Sequence, residues 1–283
     1  MAVPRERRYE WTYPDKPALR GPADHRSRRF EGKVVVMTAA TKGLAYAAAI
    51  RFAEEGAKLV LSSRKQEGVD AAVAPLVARG YDVSGVACHQ AKAEDRARLI
   101  KHAVDRHGKI DACVLCVGIQ PGPATQATLD VPSEMFEKLF DTNVKSYWEF
   151  VKDVKPHLNP HASFVFISST AGYSPAPPLG LYGVSKTALI GLTKLLAQEL
   201  GPEGIRVNCV APGLVRTHFS ELLWKGGDAG GGLAMRAVEA NSFLRRAAEP
   251  YEMAGAICFA CSDDASYMTG EVMLLNGGGV SRL

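Results

Sequence analysis

Seven short apolar runs, each parted from the next by a stretch of helical periodicity, leave this chain of 283 residues few ways to fold. The runs predict strands over 33–38, 58–62, 82–88, 111–117, 162–168, 204–210 and 271–275. Helices are predicted near 43–55, 66–79, 93–107, 133–157, 181–200 and 249–261, with Gly56, Gly80, Gly108 and Gly201 standing where helices stop. Strands that are apolar throughout are buried on both faces, and strands joined by helical crossovers run parallel. The expected architecture is therefore α/β: a doubly wound parallel sheet of about seven strands with helices on both faces. One domain over 32–283 accounts for all of this pattern.

Residues 1–31 break the pattern. They carry Pro4, Pro14, Pro17 and Pro22 among many arginines and read as an extended basic arm. The arm lacks the apolar core of a secretory signal, and its acidic residues argue against a transit peptide. It holds most of the net charge of +4, so the folded body is close to neutral and offers no nucleic-acid surface. No apolar run approaches the ~18 residues of a membrane span. Six cysteines include two C-x-x-C pairs, Cys113/Cys116 and Cys258/Cys261. The first lies on a predicted strand, where an odd offset sends the side chains to opposite faces. The second lies in an apolar helix. Both read as reduced core residues, and no metal site is expected.

The chemistry concentrates after the fifth strand. Phe164-Val165-Phe166-Ile167 leads to Ser169, a Pro/Gly loop follows, and Tyr182 opens a helix that carries Lys186 one turn on. A phenol beside an ammonium is a proton donor. Lowering its pKa from ~10 to ~7 takes roughly 4 kcal/mol, about what one ammonium ~4 Å away supplies at an effective dielectric of ~20. Ser169 is placed to hold a substrate oxygen. No side chain donates hydride, so the pattern demands a cofactor. No histidine sits in a nucleophile motif and there is no G-x-S-x-G elbow, which leaves a hydrolase unsupported.

Other segments fit a nucleotide site. Thr38-Ala39-Ala40-Thr41-Lys42-Gly43-Leu44-Ala45 turns from the first strand into a helix, though only one glycine of a phosphate-binding turn is present. The second strand ends at Ser63-Arg64-Lys65, basic where an acid would hold the ribose of NAD. Gly118 follows the fourth strand, Asn143 lies within 133–157, and Pro212-Gly213-Leu214-Val215-Arg216-Thr217 follows the sixth.

Together these segments resemble the short-chain dehydrogenase/reductase family over residues 33–283. The runs Ser62–Gln66, Lys92–Arg96, Ser185–Leu189 and Asp264–Glu271 resemble its peroxisomal NADPH-dependent carbonyl/retinal reductase subgroup. The chain departs from the family at Ala45 and at Cys116, which stands where relatives carry an Asn. The resemblance implies a Rossmann-type fold and a catalytic set of Asn143, Ser169, Tyr182 and Lys186. It implies cofactor contacts from Thr38, Thr41, Lys42, Gly43, Leu44, Ser63, Arg64, Lys65, Gly118, Asn143, Tyr182, Lys186, Pro212, Gly213, Val215 and Thr217. The expected activity is reversible reduction of a ketone or aldehyde by NADPH, with Tyr182 as proton donor, Lys186 lowering its pKa and Asn143 holding a water. The alternative is a catalytically weak scaffold that binds partners as an oligomer. Residues 214–245 form a lid candidate with a glycine-rich tip (Gly226, Gly227, Gly230, Gly231 and Gly232). Leu222, Leu223, Trp224, Leu233, Met235 and Phe243 are candidate walls of an apolar carbonyl-substrate pocket. Relatives assemble as tetramers on the 133–157 and 181–200 helices, so a homotetramer is expected. Ser281-Arg282-Leu283 resembles a peroxisomal address, with the cytoplasm as the alternative.

Overall fold

A computed structural model describes residues 28–120, 127–177, 179–224 and 231–279, with backbone alone at 222 and 231–234. Most of the expected arm, Gly226, Gly227, Gly230 and the C-terminal tripeptide lie outside the described residues.

The seven strands are β1 (Val34–Thr38), β2 (Lys58–Ser63), β3 (Val83–Ala87), β4 (Ile110–Leu115), β5 (Leu158–Ile167), β6 (Arg206–Pro212) and β7 (Val272–Leu275). The helices that join them are α1 (Gly43–Glu54), α2 (Gln66–Val77), α3 (Ala93–His107), α4 (Ser133–Phe140), α5 (Ser146–Val154), α6 (Gly180–Leu200), α7 (Glu221–Trp224), α8 (Gly231–Asn241) and α9 (Pro250–Cys261). All strand pairs are parallel, in the order β3-β2-β1-β4-β5-β6-β7. The order reverses between β1 and β4, and the crevice that opens there at the carboxyl ends of the strands is where such sheets bind ligands.

Side chains of period two split between two cores. Val34 and Val36 join Leu99, Phe150 and Leu189 on one face, while Val35 and Met37 join Phe52, Leu76 and Ile257 on the other. The C-x-x-C pair behaves as an odd offset demands: Cys113 is in the first core and Cys116 packs against the second. All six cysteines are free thiols, and five are buried.

The arm gives way to packed structure before residue 31. Phe30 is buried with its ring 4.7 Å from that of Phe52, and Arg29 bonds Glu55, which is fully buried, and Asp264. The helix expected over 133–157 is in fact broken. A π turn over Asp141–Lys145 separates α4 from α5, and a 3-10 turn, Lys155–His157, follows. The cause is local chemistry: Ser146 Oγ donates to Thr142 O at 2.7 Å, competing with the helical ladder, and Asn143 turns its amide to another segment. β5 starts earlier than its apolar run, at Leu158, through an irregular pairing in which His161 takes a φ of 65°.

Arg96 clamps α3 to α5. Its side chain is 4% exposed and meets Asp153 at 2.7 Å and Glu149 at 2.9 Å. It also donates to Gln90 O. Arg96→Ala strands two carboxylates and a carbonyl. Removing one partner of a buried pair costs up to about 5 kcal/mol, and because both carboxylates reach solvent the expected loss is about 3 kcal/mol. Thermal unfolding should show a midpoint lowered by about 6–12 °C; a shift under about 2 °C would contradict the clamp.

Candidate active site

The carboxyl ends of the strands deliver the expected site residues to one crevice. α6 begins at Gly180, which places Tyr182 and Lys186 on one buried face, at 7% and 3% exposure. Across from them, Ser169 sits just past β5, half-buried and extended. Its Oγ accepts from Ala171 N at 3.2 Å, which fixes the oxygen and leaves its proton to donate. The Ser169 hydroxyl lies beside the Tyr182 phenol.

Lys186 Nζ donates to Ile167 O at 2.8 Å and lies over the rings of Tyr147 and Tyr182, 5.8 and 5.6 Å from their centroids. Burial lowers its pKa to about 8. Burial also pushes the Tyr182 phenol well above its ordinary value, and the Ser169 hydroxyl offsets only part of that. The depression expected from the Lys186 charge is thus absent in the chain by itself. Burial dominates the phenol, and the Lys186 ammonium donates to the Ile167 carbonyl.

Asn143 is fully buried and spends its amide on structure. Oδ1 accepts from Ile119 N at 2.9 Å, and Nδ2 donates to Ile119 O and to Ser185 Oγ, each at 3.0 Å. Ser185 in turn donates to Tyr182 O at 2.7 Å. Asn143 therefore ties the segment after β4 and the start of α6 to the π turn. A Cβ on Gly118 would meet Lys186 Nζ at 3.5 Å, so Gly118 borders the lysine on the floor of the crevice.

The first turn fits a phosphate. Lys42 is extended at the start of α1 and provides no side-chain cap, and the first helical turn holds no acid. Its backbone N–H groups are left for an anion. Gly43 has a φ of 60°, and a Cβ there would reach Thr217 Cγ2 at 3.3 Å, so the two walls of the crevice meet closely. Ala39 occupies the left-handed region at a φ of 51°, which costs an alanine about 1–2 kcal/mol. Ala45 is 1% exposed and its methyl belongs to the core, so this departure from glycine leaves the crevice clear.

Thr38 is placed differently from expectation. Its side chain is buried and Oγ1 accepts from Cys116 N at 3.3 Å, so the hydroxyl joins β1 to the end of β4. Thr217 is also engaged, with Oγ1 3.0 Å from Ser220 Oγ. Pro212 and Val215 are buried, and Gly213 N donates to Leu275 O at 2.8 Å. Thr41, Leu44 and Ser63 are half-buried along the crevice. Lys42, Arg64 and Lys65 are exposed, and Arg64 makes no hydrogen bond or ion pair among the described residues. No cluster of metal-ligand type occurs among the described residues.

Beyond Ser169 a cavity of about 510 Å³ opens between the loop after β5, α8 and the end of β7. Its apolar wall is made by Leu179, Leu214, Val238, Leu244, Met253 and Leu275. Of the walls expected from sequence, Leu223, Trp224 and Met235 do not line this cavity, and Phe243 is 86% exposed. The side chains of Leu222 and Leu233 are outside the described set. Within the lid candidate, Gly231 and Gly232 lie in α8, and Val215 bridges to Ala248.

Sequence reasoning passed over three residues. Ser185 and Tyr147 brace the catalytic face of α6, and Phe219 lies against Tyr182 with ring centroids 6.0 Å apart. None is set off by spacing, since each acts on a residue distant in sequence or masked by helical periodicity.

The matching family model, described as Enoyl-(Acyl carrier protein) reductase, spans residues 38–279. Similar proteins include the Bos taurus "Dehydrogenase/reductase SDR family member 4", 45% identical over 91% of each chain. The Erythroxylum coca "Tropinone reductase-like 3" is 44% identical over 90% of this chain and 96% of its own. Among solved structures, a dehydrogenase/reductase from Sinorhizobium meliloti 1021 superimposes with a TM-score of 0.81 at 27% identity, over 90% of this chain and 98% of that one. With the strand order, the Ser169–Tyr182–Lys186 constellation and these likenesses in agreement, the chain belongs to the short-chain dehydrogenase/reductase family, on its Rossmann-type doubly wound sheet.

Proposed function

We propose that this protein reduces a ketone or aldehyde to an alcohol with NADPH, reversibly, and that Tyr182 delivers the proton. The observation that carries this reading is the convergence of Ser169 and Lys186 on the buried Tyr182 phenol, with Gly118 beside Lys186. The coarser statement, an oxidoreductase fit for NAD(P)-dependent carbonyl reduction, follows from the family.

The cofactor supplies the hydride when bound, and its fit rests on the uncapped start of α1, the glycine at 43 and the basic end of β2. Ser169 holds the carbonyl oxygen by its proton. Tyr182 O–H then protonates that oxygen as negative charge develops on it. These donors meet more charge in the transition state than in the ground state, which is how they accelerate the reaction. The phenol is protonated at neutral pH and so carries the proton to be donated. The Lys186 ammonium, mostly cationic at neutral pH with a pKa of about 8, stabilises the tyrosinate left behind until a proton returns to it from solvent. Asn143 fixes the geometry by locking α6 to the crevice floor.

A panel of carbonyl compounds followed by loss of NADPH absorbance tests the reading, together with calorimetric titration of NADPH. Consumption with at least one ketone or aldehyde is expected. Absence of binding at millimolar NADPH would reject the reading in favour of the scaffold.

Assembly and destination belong to the same proposal. Phe136 on α4, Trp148 on α5, and Val184 and Leu195 on α6 are exposed apolar residues that support a homotetramer through these helices. A peroxisomal destination rests on Ser281-Arg282-Leu283. A fluorescent fusion ending in this tripeptide should gather in peroxisomes, and deletion of the three residues should disperse it. A diffuse signal from the intact fusion would reject the address.

A further inference from the structure

We propose that Phe219 is a specificity-determining residue, a fixed aromatic plate over Tyr182 against which a flat substituent of the substrate stacks. The inference rests on the reductase reading above and adds a residue that no part of the catalytic set includes.

Phe219 is not a core side chain. It is 47% exposed, yet one part of its ring lies against Tyr182 at 6.0 Å between centroids and a 45° tilt. An apolar ring half in water at the mouth of a crevice, touching the proton donor, has a free surface to offer a ligand.

Its position is held from several sides. Gln120, on the opposite wall past β4, donates Nε2 to Phe219 O at 3.2 Å. Next in sequence, Ser220 is buried and its Oγ donates to Val215 O and meets Thr217 Oγ1. Trp224 Nε1 donates to Thr217 O at 2.9 Å. This knot pins the backbone at the root of the lid candidate, and the Gln120 bond ties it to the segment after β4. A substrate whose oxygen reaches Ser169 and Tyr182 would then lay its nearest substituent along the Phe219 ring. A planar substituent gains ring-to-ring contact there, whereas a compact one does not.

The test compares acetophenone with acetone at saturating NADPH. In Phe219→Ala, kcat/KM for acetophenone should fall at least about tenfold, the scale of one well-placed aromatic contact. The value for acetone should change by less than about threefold. Phe219→Tyr keeps the ring and should restore acetophenone to within about threefold. Calorimetry should show 1-phenylethanol binding the NADPH complex of Phe219→Ala about tenfold more weakly than wild type. Equal loss on both ketones, or no loss on acetophenone, overturns the plate. Wild-type protein that reduces neither ketone nor any other carbonyl would instead reject the reductase reading, and the plate with it.

Discussion

Tyr182→Phe is expected to lower turnover at least about 100-fold, the usual scale of general acid catalysis, while NADPH affinity stays within about threefold. The substitution is close to silent structurally. A phenylalanine ring keeps the contact with Phe219 at 6.0 Å and remains under the Lys186 ammonium, 5.6 Å from the present centroid. No cavity forms, and a buried hydroxyl is removed. What disappears is the proton to be transferred to the substrate oxygen. Ser169 survives and still polarises the carbonyl, so some residual rate is expected, but Ser169 cannot take the place of the acid, because its own oxygen is committed to Ala171 N and its proton is needed for the carbonyl. The check is a pair of measurements on the same preparation, kcat for the best carbonyl substrate and the dissociation constant of NADPH. Turnover within about threefold of wild type would show that the acid lies elsewhere.

The same region shows which parts of the site could be read without coordinates. Tyr182 and Lys186 are four apart on one helix, so their shared face is a matter of helical geometry alone. Ser169 follows a strand whose apolar run ends visibly, so its place at the lip of the crevice is also legible. Each depends on local pattern. The break between α4 and α5 was hidden because its partners are not local: Asn143 bonds Ile119, 24 residues away, and Ser185, 42 away. Apolar periodicity continues across the break, so the segment looks like one helix. Thr38 escaped for the same reason, as its hydroxyl meets Cys116 N, 78 positions on. The pKa of the phenol in the chain by itself is illegible in sequence on a different ground. A sequence gives the number of bonds between an ammonium and a phenol, whereas the pKa of each is dominated by how much water is excluded from it. Ala45 went the other way. In sequence it looks like an obstacle to phosphate, and in the fold its methyl faces the core between the sheet and α1.

Cofactor choice is the second large effect, and it turns on the end of β2. A 2′-phosphate carries nearly two negative charges and needs donors where NAD-binding folds place an acid. Here Ser63 is half-buried at the strand end, followed by Arg64 and Lys65, both exposed. Arg64 has no partner among the described residues, so its guanidinium fork is available, and Lys42 stands exposed beside the first turn with the same sign of charge. A charge-assisted hydrogen bond contributes roughly 1.5–3 kcal/mol. Two such contacts would favour NADPH over NADH by two to four powers of ten at about 1.4 kcal/mol per tenfold, and solvent screening of exposed groups draws the value toward the lower figure. Arg64→Leu removes the fork and leaves Lys42. The expected result is a Michaelis constant for NADPH raised about tenfold or more with that for NADH nearly unchanged, since NADH has nothing at that position for Arg64 to hold. Raising the salt concentration should narrow the difference between wild type and variant, because the lost contact is electrostatic and exposed. Equal use of NADPH and NADH by the unmodified protein would remove the phosphate from this site and leave Arg64 and Lys42 as solvated charges.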